Sequence, residues 1–305
     1  MRNCCQSYFP ADHIVLPFIR PPYYALLLAP LSWLTPASAL LAWLAVNALG
    51  WAAGLWATAK GAGIRLSEAA WHGAIFFPTL FAFADRQDVP LLLLPAAAGY
   101  YLLARGSQFS AGLALAFCAP KFHLLLLIPL VLLIRKNWRA IMGLGTGAGF
   151  LVGISSLLVG PEALAAYLRM LIARGQPNME FPAGTANLWQ LAQGTGLEVP
   201  SVALAVIATG IAAWRGSPVE ALAAGWLGSL LVVPHVYLAD YTLALPACLV
   251  LGRSGKIAFL ASLLLLFPVV PILMIYGKRF LLATPLLGFL CLVGAAGAIL
   301  WKARR

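Results

Sequence analysis

Apolar runs of membrane-crossing length follow one another along this chain, separated by short polar breaks. A crossing helix needs roughly 20 apolar residues. On that measure the pattern predicts spans near residues 37–59, 68–84, 89–104, 140–159, 200–214, 217–234, 238–252, 256–275 and 280–301. Before the first of them, Tyr23 to Leu34 is too short to cross. Arg20, Pro21 and Pro22 introduce it, so it reads as a short interfacial or re-entrant helix.

Residues 107–134 break the alternation. This apolar run is flanked by cations at both ends, Arg105 on one side and Arg135, Lys136 and Arg139 on the other. A single crossing would place one cluster on the wrong face. Two half-length helices meeting at Ala119-Pro120-Lys121-Phe122-His123 satisfy both flanks. Each half, about 13 residues long, reaches roughly 20 Å at about 1.5 Å per residue, so Lys121 nears the far interface. Non-helical backbone at that depth is tolerated only against protein or a wet cavity. Two full crossings with a buried tip are the alternative. Counting the hairpin as two, the chain is an all-α polytopic bundle of about ten membrane helices, one integral domain over residues 1–305. Residues 160–199 form its one long loop, opening with the amphipathic stretch PEALAAYLRMLIARG.

Composition agrees: 62% of the 305 residues are hydrophobic and 10% charged, against about 25% charged in soluble domains. The net charge of +11 follows from topology. Lys60, Arg65, Arg105, Arg135, Lys136, Arg139, Arg215, Arg253, Lys256, Lys302, Arg304 and Arg305 fall on one side with only Glu68 and Glu220. The other side keeps eight of the 20 cations and seven of the nine acids. By the positive-inside rule the first side is cytoplasmic and holds the C-terminus. No basic patch remains for nucleic acid. Cys118, Cys248 and Cys291 lie in apolar helices, Cys4 and Cys5 are adjacent, and no spacing suggests a metal site. Residues 1–16 lack the apolar core of a signal peptide.

An ionisable side chain within a membrane segment is a functional candidate by default. Lys121, at a proline break and beside His123, suits a phosphate arriving from the bilayer, or simply snorkels to the interface. Pro234 to Tyr241 joins two spans; His235 and Asp240 there position a sugar or hold a phosphate, or they complete an interfacial turn. Asp85-Arg86-Gln87-Asp88 is a self-paired loop or, through Gln87 and Asp88, an acceptor site. Asn187, Trp189 and Gln190 suit a sugar by hydrogen bonding and stacking, though interfacial tryptophan is common. Arg20, held by the prolines beside it, can bind a lipid phosphate through two donors or anchor the short helix. P-loop, HExxH, GxGxxG and nucleophile-elbow motifs are missing from any usable context.

Taken in order, PFIRPPYYALLLAPLSWL (17–34), LAWLAVNALG, FADRQDVPLLLL, GLALAFCAPKFHLLLLIPLVLLIRKNWRA and PHVYLADYTLALP resemble glycosyltransferase family 87 over most of residues 17–250. The resemblance implies the GT-C fold and a mannosyltransferase that uses a polyprenol-phosphate donor outside the bacterial cytoplasmic membrane. It implies that Pro21 and Pro22 close the first outer loop and that Gln87 sits on the acceptor side. Lys121 lies near the lipid phosphate, and His235 and Asp240 line the roof of the site. The chain departs from the pattern at Arg20, where tyrosine is usual, at the Pro-Lys order of the hairpin tip, and at Asp85-Arg86 before Gln87. The family begins with a further helix and a loop carboxylate that acts as general base. Only 16 residues precede Pro17, with Asp12 the one carboxylate among them, so a displaced base at Asp12, a misplaced start codon or a truncated copy is expected.

The resulting expectation is inverting transfer of a hexose, mannose on the resemblance, from a polyprenyl-phosphate donor to an envelope glycan or glycolipid. Arg20, Lys121 and His235 meet the donor phosphate; Gln87, Asp88, Asn187 and Asp240 meet substrate; neither metal nor cofactor is expected. A catalytically silent or truncated relative and a lipid-linked sugar transporter are the alternatives.

Overall fold

The computed structural model describes residues 20–174, 185–266 and 280–304. The chain enters through α1 (Pro22–Leu28), which runs into a 3-10 turn over Ala29–Trp33. Pro21 precedes the helix in extended conformation (ψ 147°) and Pro22 occupies its first turn, where a missing N–H costs nothing. The short helix foreseen between Tyr23 and Leu34 is therefore present. Thr35 then caps α2 (Pro36–Ala62) by accepting from the Ser38 N–H, and left-handed Gly63 (φ 63°) ends it.

The run predicted as one span near 68–84 is two helices, α3 (Leu66–Ile75) and α4 (Phe77–Ala84). Pro78 has no N–H for the Ala74 carbonyl, so a continuous helix fails there and the chain breaks at extended Phe76. Helix α5 (Val89–Ala104) follows. It runs parallel to α2, because Gly50 packs on Leu91, Gly54 on Leu93 and Gly61 on Tyr101. A Cβ at Gly61 would lie 2.7 Å from the Tyr101 backbone nitrogen, so only glycine permits this approach.

Helix α6 (Gln108–Ala116), a 3-10 segment (Ala119–Leu125) and α7 (Ile128–Ile134) make the hairpin. Its reversal follows from what comes next. Helix α8 (Trp138–Arg174) lies parallel to α6, Gly143 against Phe109 and Gly147 against Ala116. The start of α8 and the start of α6 thus share one end of the bundle, and α7 must return there. A Cβ at Gly112 would fall 1.8 Å from the Ala140 carbonyl oxygen, which shows how closely these backbones approach. Helix α8 is broken at Gly160 (φ 78°, ψ 157°), just before Pro161, so the span before it and the amphipathic stretch after it are two helical segments.

Short α9 (Leu188–Ala192) leads to α10 (Glu198–Arg215), α11 (Pro218–Val232), a 3-10 turn (Leu238–Leu243), α12 (Ala244–Leu251), α13 (Lys256–Leu266) and α14 (Phe280–Ala303). Every residue from Ala221 to Val232 and from Ala244 to Leu251 is buried. A helix apolar all round belongs in the middle of a bundle, so α11 and α12 form its centre, with Trp226 and Tyr241 fully enclosed. Helices Pro36–Ala62, Trp138–Arg169, Glu198–Arg215 and Ala283–Ala303 are long and apolar enough to cross a membrane. The chain is an all-α polytopic membrane protein.

Candidate functional site

Four loops meet at the end of the bundle where α5 begins. The first is Asp85–Asp88, between α4 and α5. The Trp43 indole donates to the Arg86 carbonyl (3.1 Å), and Asn47 Oδ1 accepts from the Leu91 N–H (3.2 Å). Helix α2 thereby fixes both sides of Asp88, whose side chain is 4% exposed. Gln87 is half-buried and donates to Asp85 Oδ2 at 2.9 Å. The tetrapeptide divides its labour, one half self-paired on the surface and the other turned inward.

The second loop is the hairpin tip. Lys121 leaves helical conformation (φ −123°, ψ 56°) directly after Pro120, and its side chain is 6% exposed. Its ammonium pairs with Asp240 Oδ1 and lies 3.8 Å from Asp88 Oδ1. The third loop is the 3-10 turn after α11. Asp240 uses its second oxygen to accept from the Tyr237 N–H (2.9 Å) and is 1% exposed. The fourth is the segment before α1, where Arg20 donates to Asp88 Oδ1 at 2.7 Å and to the Pro120 carbonyl at 3.1 Å.

The result is an alternating chain: Arg20, Asp88, Lys121, Asp240. Burying a charge is tolerable only when it is paired and further hydrogen-bonded. Two cations and two carboxylates meet that demand and leave the group neutral. Arg20 is its outermost member, with a side chain 19% exposed. His123, half-buried at the same tip, lies within electrostatic reach of Asp240, Lys121, Arg20 and His235.

Asn187 has a different task. It is wholly buried, donates to the Pro234 carbonyl (2.6 Å) and accepts from the Gln190 N–H (2.8 Å), capping α9. With the Ala186 N–H on the Val236 carbonyl (2.7 Å), the Thr185–Tyr237 bridge and the Tyr241 hydroxyl on the Ala186 carbonyl (2.9 Å), it holds the turn that carries His235. Both polar atoms of Asn187 are thus engaged by the chain rather than turned to a ligand. The Trp189 indole likewise donates to the Val232 carbonyl (2.8 Å). Asn187→Ala should lose about 1–2 kcal/mol, measured as a lower thermal midpoint in detergent, with unfolding that begins at this junction in hydrogen exchange.

Tyr24 escaped the residue-by-residue reading. It is 4% exposed, its ring lies 6.0 Å from the Arg20 guanidinium, and its phenol faces Asp88. Burial raises the Tyr24 pKa above the ordinary phenol value, and the Asp88 charge adds to that. By strict geometry neither the Tyr24 hydroxyl nor Asp88 Oδ2 has a hydrogen-bond partner among the described residues. The adjacent Tyr23 N–H donates to Ser155 on α8 (3.2 Å), which seats the entry segment. Asp12 lies outside the described residues. Among the described residues no cluster of His, Cys, Asp and Glu could hold a metal ion.

Residues 18–239 match the family model described as Glycosyltransferase family 87. The matched range takes in Arg20, Asp88, Lys121 and His235 and stops one residue before Asp240. No curated protein and no solved structure matches the chain.

Proposed function

Since the chain belongs to glycosyltransferase family 87, we propose that it moves a hexose, mannose by preference, from a polyprenyl-phosphate donor to an envelope glycan or glycolipid. The site faces away from the cytoplasm of a bacterial inner membrane, and the C-terminus lies inside. The observation that carries this reading is the meeting of Arg20 and Lys121 across Asp88, at one end of a membrane bundle. A lipid-linked donor presents its phosphate at the interface, where a buried lysine and a partly exposed arginine can meet it.

The topology is supported by the opposite end. Arg105, Arg135, Arg215 and Arg253 end α5, α7, α10 and α12 there, away from the four loops. Cations concentrate on the cytoplasmic face.

The chemistry follows from the donor. The acceptor oxygen bonds to the anomeric carbon while the bond from that carbon to the phosphate oxygen breaks, and its electron pair leaves with the phosphate. The acceptor proton passes to a base. Cations held at the phosphate stabilise the departing charge. Both cations are paired with carboxylates, so the phosphate enters by exchange: it takes Arg20 first, the reachable one, and then Lys121.

That same occupancy favours a second reading, a silent relative that keeps the four charges only as a clamp. Membranes containing the chain, given radiolabelled polyprenyl-phosphate-mannose and an envelope acceptor extract, decide between them. Loss of label from the donor into the acceptor fraction is expected. A donor left intact, in membranes where the chain is folded and abundant, overturns the transferase reading.

A further inference from the structure

The turn between α12 and α13, at the end of the bundle opposite the four loops, opens a groove of about 540 Å³ lined by Gly252, Arg253, Gly255, Lys256, Phe259 and Leu260. Its chemistry is divided along its length. At the turn stand two cations. Along α13, Lys256, Leu260 and Leu264 fall four residues apart on one helix face, with Phe259 beside them. Leu260 is 58% exposed, Phe259 53% and Leu264 48%. A cation thus heads an exposed apolar ridge.

The cations still have donors to give. Arg253 is half exposed and engages Glu68 through Nη2 alone, at 2.9 and 3.1 Å. Its remaining N–H groups carry no hydrogen bond to the described residues. Lys256 is exposed and has no partner among the described residues. The turn is held from beneath without them: Ser254 donates to Glu220 (3.0 Å), and Gly255 packs on Ala298 so closely that a Cβ would meet it at 2.6 Å. The lining of the groove thus carries two cations and no carboxylate, with Glu68 engaging one side of Arg253 from outside it.

We propose that this groove binds a phospholipid with an anionic headgroup: the phosphodiester bridges Lys256 and the free side of Arg253, and an acyl chain lies along Phe259, Leu260 and Leu264. A phosphate at this depth meets a focused charge on one side and apolar side chains on the other, the two halves of a lipid. The site is separate from the transfer chemistry and does not depend on it.

Native mass spectrometry of the detergent-solubilised full chain tests it, with phosphatidylglycerol, phosphatidylcholine and inorganic phosphate as three arms. The wild type should retain one phosphatidylglycerol in preference to phosphatidylcholine, and millimolar inorganic phosphate should not displace it. Lys256→Ala breaks no hydrogen bond or ion pair among the described residues, so it should fold; it should weaken retention roughly fivefold. Arg253→Ala/Lys256→Ala should weaken it further. Equal retention by Lys256→Ala, equal retention of phosphatidylcholine, or displacement by inorganic phosphate each overturns the proposal.

Discussion

Lys121→Met should lower sugar transfer by at least about a hundredfold and also destabilise the bundle. Two separate physical effects produce these losses. The ammonium is the buried cation of the proposed phosphate site, and a hundredfold in rate corresponds to about 2.7 kcal/mol of lost stabilisation of the departing charge. Its removal also leaves Asp240, 1% exposed, without its paired cation and with the Tyr237 N–H as its remaining hydrogen bond among the described residues. Breaking one partner of a buried pair costs roughly 3–5 kcal/mol. A second substitution separates the two. In Lys121→Met/Asp240→Asn both charges are gone, while the asparagine oxygen can still accept from the Tyr237 N–H. Replacing a buried pair by neutral groups is often close to neutral, so the thermal midpoint should return most of the way. Transfer should not return. A double variant that is as stable and as active as the wild type would show that Lys121 serves the fold alone.

Much of this fold can be read along the chain, because lipid imposes length and hydropathy on each span. The flanking cations Arg105 and Arg135 predict the hairpin, and Pro120 predicts its tip. The division of residues 66–84 at Phe76 is harder to see. The apolar pattern is continuous there, and one proline, Pro78, decides it. The loop at Asp85–Asp88 shows a sharper limit. Self-pairing describes Gln87 and Asp85, while Asp88 finds Arg20, 68 positions away. Residue type nominated Arg20, Asp88, Lys121 and Asp240 one at a time. It carried no information that Lys121 would pair with a carboxylate 119 positions on. Asn187 carries a related ambiguity. Asn suits a sugar and a helix cap equally, and only the Pro234 carbonyl at 2.6 Å shows which use the chain makes of it. Tyr24 sits in a helix too short to show a buried face by periodicity, so its place beside Asp88 was not visible.

Asp88→Asn should move donor affinity in the opposite direction from the substitutions that remove cations. The sequence alone suggests that Asp88 touches substrate, in which case its loss raises the donor or acceptor KM. The geometry gives it another role. Asp88 Oδ1 takes a 2.7 Å bond from Arg20 and lies 3.8 Å from Lys121, so its charge competes with an arriving phosphate for both cations. Asparagine keeps the shape and an acceptor for Arg20 but surrenders the charge. A charge-assisted hydrogen bond is worth about 1.5 kcal/mol, or roughly tenfold in affinity. The donor KM of Asp88→Asn should therefore fall by about that factor, and that of Arg20→Ala should rise by a similar one. In the double variant the gain should vanish, since no Arg20 remains to be released; only the smaller benefit at Lys121 persists. Direct titration with a non-transferable polyprenyl phosphate reads the same order without turnover. A donor KM that rises in Asp88→Asn while Arg20→Ala leaves it unchanged would mean that the carboxylate itself holds substrate, and the exchange of anions on Arg20 and Lys121 would have to be abandoned.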